Sequence, residues 1–169
     1  MLDIDKGGLF MAIRNIVNHP DPILREKAIQ VTKFNSNLHK LLDDMKDTMY
    51  EANGVGIAAP QVGISKRVFV MDCGDFYVEA INPEIIEFSG EQFENYPEGC
   101  LSIPGLHGDV RRHMLVKMRA QDRDGNFYEL EVDDLEARCI QHELDHLNGV
   151  LFIDIAEKVY PATEGKEGV

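Results

Sequence analysis

An α+β fold is what this sequence predicts, and three features carry the prediction. Residues 67–72 (RVFVMD) and 76–85 (FYVEAINPEI) are β-rich runs separated by Gly74 and Asp75. Residues 114–121 (MLVKMRAQ) and 127–133 (FYELEVD) alternate apolar and polar side chains around the turn Arg123-Asp124-Gly125-Asn126. Strand-like runs joined by short Gly/Asp/Asn turns read as antiparallel hairpins. The third feature is a pair of helical patterns, one on each side of these hairpins.

The first helix is expected from Asn37 to Ala52. Leu38, Leu41, Leu42, Met45 and Met49 fall at helical spacing, with Lys40, Asp43, Asp44 and Lys46 on the other side and Asn53-Gly54 as the stop. The second helix opens at Asp133 or Asp134, with Asp133 and Glu136 spaced as a capping box, and closes at Gly149. Before the first helix, the two prolines of NHPDPILRE (18–26) predict an ordered bend and a short helix. No internal repeat or linker divides the chain. The reading is a flexible leader over 1–10, one catalytic domain over 11–160 and a frayed tail over 161–169.

Composition narrows the function. A chain of 169 residues suits one domain. Thirty acidic residues against 17 basic ones leave a formal charge of −13, which argues against charge-driven nucleic-acid or direct DNA binding. Cys73, Cys100 and Cys139 are odd in number and lack the spacing of a disulfide framework, so a reducing cytoplasm is expected. No apolar run approaches the ~18 residues of a membrane span, and MLDIDKGGLF has no signal-peptide pattern.

The chemistry concentrates in QHELDHLNG (141–149). His142 and His146 stand one helical turn apart, so both imidazoles can face one metal ion. Glu143 beside them can act as a general base toward water at that ion. The third ligand decides the enzyme class. The metzincin pattern requires histidine where Phe152 stands, and a thermolysin-like downstream glutamate could only be Glu157, since 23 residues follow His146. Cys100, in YPEGCLSIPG, is the upstream candidate, because a thiolate beside two imidazoles suits a late first-row divalent ion. An endopeptidase and a metal-holding structural module remain open at this point. Glu98, two residues before Cys100, is expected to pair with Arg112; His19, His39 and His113 are expected to be ordinary packing or surface residues.

A second motif is GVGIAAPQVG (54–63). A dinucleotide fingerprint would need a strand before it and a helix after it, whereas a helix precedes it and Pro60 interrupts it. The glycines instead allow close approach of a substrate backbone, with the Gln61 amide directed into the site.

Taken in order, GVGIAAPQ, EGCLS and QHELDHLNG resemble the peptide deformylase family, and the likeness extends over nearly all of Met11 to Asp154. The EGCLS form is similar to the bacterial subclass common in Gram-negative organisms. The resemblance implies antiparallel sheets packed around a central C-terminal helix that carries HExxH. It implies Cys100, His142 and His146 as ligands of Fe(II), replaceable by zinc, nickel or cobalt. Glu143 would be general base and acid, with Gln61 and the Leu101 N–H as oxyanion donors. Val55, Gly56 and Ile57 would touch the substrate, with Leu135 and His142 lining a methionine pocket. The partners implied are N-formylmethionyl nascent peptides, with transient contact at the ribosome exit region and no membrane. Two positions depart from the family pattern: Arg138, near the methionine pocket where an aliphatic residue is expected, and His107, where some members carry arginine. The family's basic C-terminal extension is also missing.

Overall fold

The structure, a computed structural model, describes residues 12–162. The leader expected at 1–10 and residues 163–169 of the expected tail lie outside the described residues. In chain order the elements are a 3-10 turn (Pro22–Arg25), α1 (Ser36–Glu51), β1 (Gly56–Ala58), a second 3-10 turn (Ala59–Val62), β2 (Val68–Asp72), β3 (Tyr77–Ser89), β4 (Leu106–Asp109), β5 (Leu115–Gln121), β6 (Phe127–Asp133), α2 (Asp134–Leu147), α3 (Phe152–Ile155) and β7 (Lys158–Pro161).

Five strands form one antiparallel sheet in the order β1-β2-β3-β5-β6, and β4 pairs with β7 in a separate two-stranded sheet. Helices cover both faces of β2. Its Phe69 and Met71 join a core with Ala137, Cys139, Ile140 and Leu147 of α2, whereas Val68 and Val70 pack with Leu42, Met45 and Met49 of α1. Side chains alternate faces along a strand, so a strand covered on both sides reads as an unbroken apolar run. That is why VFVM carries no polar alternation. α2 packs against β1, β2, β5 and β6, which makes it the central helix of an α+β fold.

The boundaries differ from the sequence expectation where side chains intervene. α1 begins one residue before Asn37, because the Asn35 side chain accepts the Leu38 N–H at 3.1 Å and caps it. β3 runs past Ile85 to Ser89 with register shifts on either side of Glu84, and Asn82 (φ 53°) sits at the first of them. The Asn82 side chain pairs with both backbone groups of Val31, accepting at 2.8 Å and donating at 2.9 Å. The expected capping box at the start of α2 does not form. Asp133 occupies the cap position without a side-chain hydrogen bond, and Asp134 takes φ 53°. The Asp134 carboxylate instead accepts from Asn95 Nδ2 (2.8 Å) and from the Tyr96 hydroxyl (3.0 Å), tying the helix start to the loop that precedes Cys100.

β4 and β7 were not legible in the sequence. Their pairing carries Pro161 opposite Leu106, and the Ala162 N–H donates to Gly105 O at 3.0 Å, so ordered chain extends into the segment expected to fray. A third core of Leu24, Cys100, Ile103, Val110, Leu151 and Phe152 joins the Cys100 loop to α3.

Gly149, just beyond α2, has φ +76°, and a Cβ there would overlap the Arg25 carbonyl. Gly149→Ala therefore forces left-handed backbone onto an alanine and displaces a neighbouring main chain. The expected loss is about 1–3 kcal/mol of stability, read as a lower midpoint in denaturant unfolding.

Candidate metal centre

α2 delivers two imidazoles. His142 and His146 lie one turn apart with ring centroids 5.0 Å from each other, and both are buried. Cys100 arrives from a separate segment, placed by a single antiparallel bridge in which Glu98 and Gly108 exchange both backbone hydrogen bonds (2.9 and 2.8 Å). Cys100 Sγ stands 3.3 Å from His146 Nε2, and the potential ligand atoms of Cys100, His142 and His146 lie within 4.8 Å of one another.

The His142 ring is fixed from behind. Its Nδ1 donates to Glu98 Oε1 at 2.9 Å, leaving Nε2 as the free lone pair for a ligand. Glu98 is fully buried and also accepts from Arg112 Nε (2.7 Å), Arg112 Nη2 (2.9 Å) and Arg138 Nη1 (2.8 Å). Burial alone would push the Glu98 carboxyl up, but the hydrogen bonds from Arg112 and His142 outweigh it and hold it well below the usual carboxylate range. The expected Glu98–Arg112 pair is thus present as a buried ion pair. Arg112 in turn donates to Asp145 Oδ2 at 2.7 Å.

The residues fit a divalent cation. Burial pushes the Cys100 thiol up to about 12, because an isolated thiolate there lacks water. Burial first, and then His142 and Arg112 beside it, lower the His146 pKa well below its ordinary value. Such a pocket holds a thiolate stably when a cation compensates it, and one sulfur with two imidazoles is a donor set for zinc or a late first-row metal. Three protein ligands also leave a coordination position open, as catalytic sites require.

Glu143 is buried next to these groups, and its Oε1 has no hydrogen-bond partner among the described residues. Burial raises its pKa well above the ordinary value. Gly56 faces it: a Cβ on Gly56 would stand 2.5 Å from Glu143 Oε2. A Cβ on Gly54 would come within 2.6 Å of Leu101 Cδ1.

Gln61 lies in the turn after β1 with its amide oriented from both ends. Its Oε1 accepts the Ala58 N–H at 2.9 Å, and its Nε2 donates to Ser102 Oγ (3.1 Å) and toward Cys100 Sγ (3.5 Å). The Val55 carbonyl accepts the Asp72 N–H at 2.8 Å, while Gly56 and Ile57 pair with Met71 and Val70. β1 is an edge strand and, among the described residues, pairs with β2 alone. Leu135 is half-buried and packs against the core that includes Cys139, as does Val55.

The Arg138 side chain is 0% exposed and turns toward Glu98, whose other oxygen accepts from His142. His107 is buried in β4 opposite Tyr160. His39 Nε2 pairs with Arg123 O at 2.8 Å and His113 stacks on Phe88, away from the centre, as ordinary residues do. Cys73 and Cys139 are free thiols whose sulfurs lie 2.9 Å apart. Sequence reading missed Asp145 and Ser102, and it gave Arg138 and Asp134 other roles. One signal was available: Asp134, Arg138, His142 and His146 recur every fourth residue and so share one face of α2.

Comparison with known proteins agrees with this geometry. The family model for polypeptide deformylase matches residues 13–161. The peptide deformylase of Heliobacterium modesticaldum is 54% identical over 151 residues, covering 89% of this chain and 99% of the relative. Peptide deformylase 1 of Bacillus anthracis is 50% identical over 156 residues, covering 91% and 99%. Among solved structures, the peptide deformylase of Thermotoga maritima superposes with a TM-score of 0.83 at 46% identity, covering 86% of this chain and 99% of that one. That of Legionella pneumophila gives 0.83 at 44% identity, covering 86% and 87%. With the matched span taking in the Gln61 turn, the Cys100 loop and the whole of α2, the chain belongs to the peptide deformylase family.

Proposed function

We propose that Cys100, His142 and His146 hold the metal of a deformylase reaction and that Glu143 moves its proton. Members of this family remove the formyl group from the N-terminal methionine of new polypeptides, and this chain is a hydrolase of that class. The observation that carries the residue assignment is the convergence of one thiol and two imidazoles, all buried, beside a carboxyl with an unpartnered oxygen.

Cys100, His142 and His146 would hold a divalent ion, which when bound would supply Lewis acidity toward carbonyl oxygen and water. Glu143 accepts the proton of the attacking water as the new C–O bond forms at the formyl carbon. It then passes that proton to the amine nitrogen as the C–N bond breaks, giving formate and a free methionine terminus. Gln61 Nε2 and the Leu101 N–H donate to the developing oxyanion, each worth about 3–4 kcal/mol of barrier. Val55, Gly56 and Ile57 present the open edge of β1 to the peptide as an added strand. Leu135 and His142 border the methionine side chain.

Formyl selectivity follows from close packing. Gly54 is against Leu101 and Gly56 is against Glu143, with no space for even a methyl group at either glycine. Fe(II) is the ion proposed in the cell, with zinc, nickel or cobalt able to replace it, since a Cys-His-His set accepts all of them. The same reading places the enzyme in the cytoplasm, in transient contact with the ribosome exit region where its substrates emerge. Among the described residues, no helix is long and apolar enough to cross a membrane.

Glu143→Gln is expected to keep the fold and the metal while formate release from a formyl-methionyl peptide drops by about 10²–10⁴-fold. Retained turnover in that variant, or cleavage of internal amides without formate, contradicts the assignment. Cys100→Ser should lose metal on dialysis under conditions in which the parent keeps it, measured by elemental analysis. Gly56→Ala should push the Glu143 carboxylate aside with metal content unchanged. A displacement near 1 Å is expected to lower kcat by roughly 10²-fold, and wild-type kcat in Gly56→Ala would show that Glu143 needs no such placement.

A further inference from the structure

We infer that Arg138 is a positioning residue for the metal centre: it holds the Gln92–Glu98 segment onto α2 and so sets where Cys100 stands relative to the two histidines. The inference rests on the reading of Cys100, His142 and His146 as the ligands, and extends it to a side chain that touches none of them.

The ligands come from two carriers. His142 and His146 are rigid on α2, but Cys100 follows a stretch, 90–99, whose regular pairing is limited to two single bridges, Gln92–Arg112 and Glu98–Gly108. Something else must fix that stretch against the helix. Arg138 does so with its entire guanidinium. Nη1 donates to Glu98 Oε2 (2.8 Å) and Val110 O (2.9 Å), and Nη2 to Phe93 O (2.9 Å) and Asn95 Oδ1 (3.3 Å). Nε donates to Gln92 Oε1 (3.3 Å). A guanidinium has five N–H groups, and here each has an acceptor. Four of the five acceptors belong to the segment that leads into Cys100.

Geometry separates this role from simple charge balance. Arg112 already gives Glu98 two hydrogen bonds. What Arg112 lacks is any side-chain bond to Phe93, Asn95 or Gln92. Arg138 also stands one helical turn before His142, and the two meet on the same carboxylate, Arg138 at Oε2 and His142 Nδ1 at Oε1. A shift of the loop therefore reaches the thiol and the His142 ring together. Lysine cannot replace this fork: its three donors radiate from one atom.

The test compares Arg138→Met and Arg138→Lys with the parent in three measurements. These are zinc affinity by competition with a chromogenic chelator, the visible spectrum of the Co(II)-loaded protein, and kcat and KM on a formyl-methionyl peptide. Far-UV circular dichroism checks folding. Arg138→Met is expected to bind zinc about 10–100-fold more weakly, to move the Co(II) bands, and to lower kcat more than it raises KM. Arg138→Lys should keep the charge yet still show shifted Co(II) bands. A folded Arg138→Met with parental zinc affinity and Co(II) spectrum overturns the inference, as does complete restoration of both by lysine. Should Arg138→Met not fold, Arg138→Lys decides alone by the same two readouts. Absence of formate release from the parent would instead overturn the functional reading, and zinc affinity and the Co(II) spectrum would still judge Arg138.

Discussion

The Glu98 carboxylate is the point on which the site is hung. It sits fully buried and accepts four hydrogen bonds, from Arg112 twice, from Arg138 and from His142. An ion so far from water is tolerable only with such partners, and removing one partner of a buried pair typically costs about 3–5 kcal/mol. The same four bonds join three pieces of chain. Arg112 lies in the segment between β4 and β5, Arg138 and His142 lie on α2, and Glu98 itself leads directly into Cys100. An interaction that keeps a charge buried thereby also brings the thiol to the imidazoles.

α2 can carry this polar face because its other faces are spent on the core. Ala137, Cys139, Ile140 and Leu147 pack into the sheet, while Asp134, Arg138, His142 and His146 form one line along the helix. The Asp134 carboxylate, the Arg138 guanidinium and His142 Nδ1 have partners in the loop before Cys100, whereas His146 Nδ1 has none among the described residues. Glu143, one residue off the line, keeps an unpartnered oxygen. Unmet hydrogen-bonding capacity in an otherwise satisfied interior is costly, and it marks where chemistry is to occur.

The approach to the site is shaped by absence of side chains. Gly54 and Gly56 bring the backbone against Leu101 and Glu143, and β1 leaves its outer edge unpaired among the described residues. A peptide could thus be bound by main-chain groups that every sequence offers, with the terminal residue alone recognised by a pocket. Affinity from backbone pairing and selectivity from a narrow centre are compatible because they use different atoms.

By itself the sequence determined both helices and the two hairpins, because each is encoded locally. Helical and strand periodicity are visible in a window of a dozen residues, and HExxH places two histidines by helix geometry alone. Cys100 could be singled out by elimination as the candidate third ligand, but its nearness to His146 is a fact of folding. Only the tertiary structure decided the pairing of β4 with β7, the uncapped start of α2 at Asp134 and the place of Arg138. Each of these depends on partners distant in sequence: Pro161 opposite Leu106, Asn95 and Tyr96 on Asp134, and Phe93, Asn95 and Glu98 around Arg138. An arginine on a helix reads locally as a surface charge. It becomes a buried anchor only when the fold brings a carboxylate and four more acceptors to meet it, and no local pattern records that encounter.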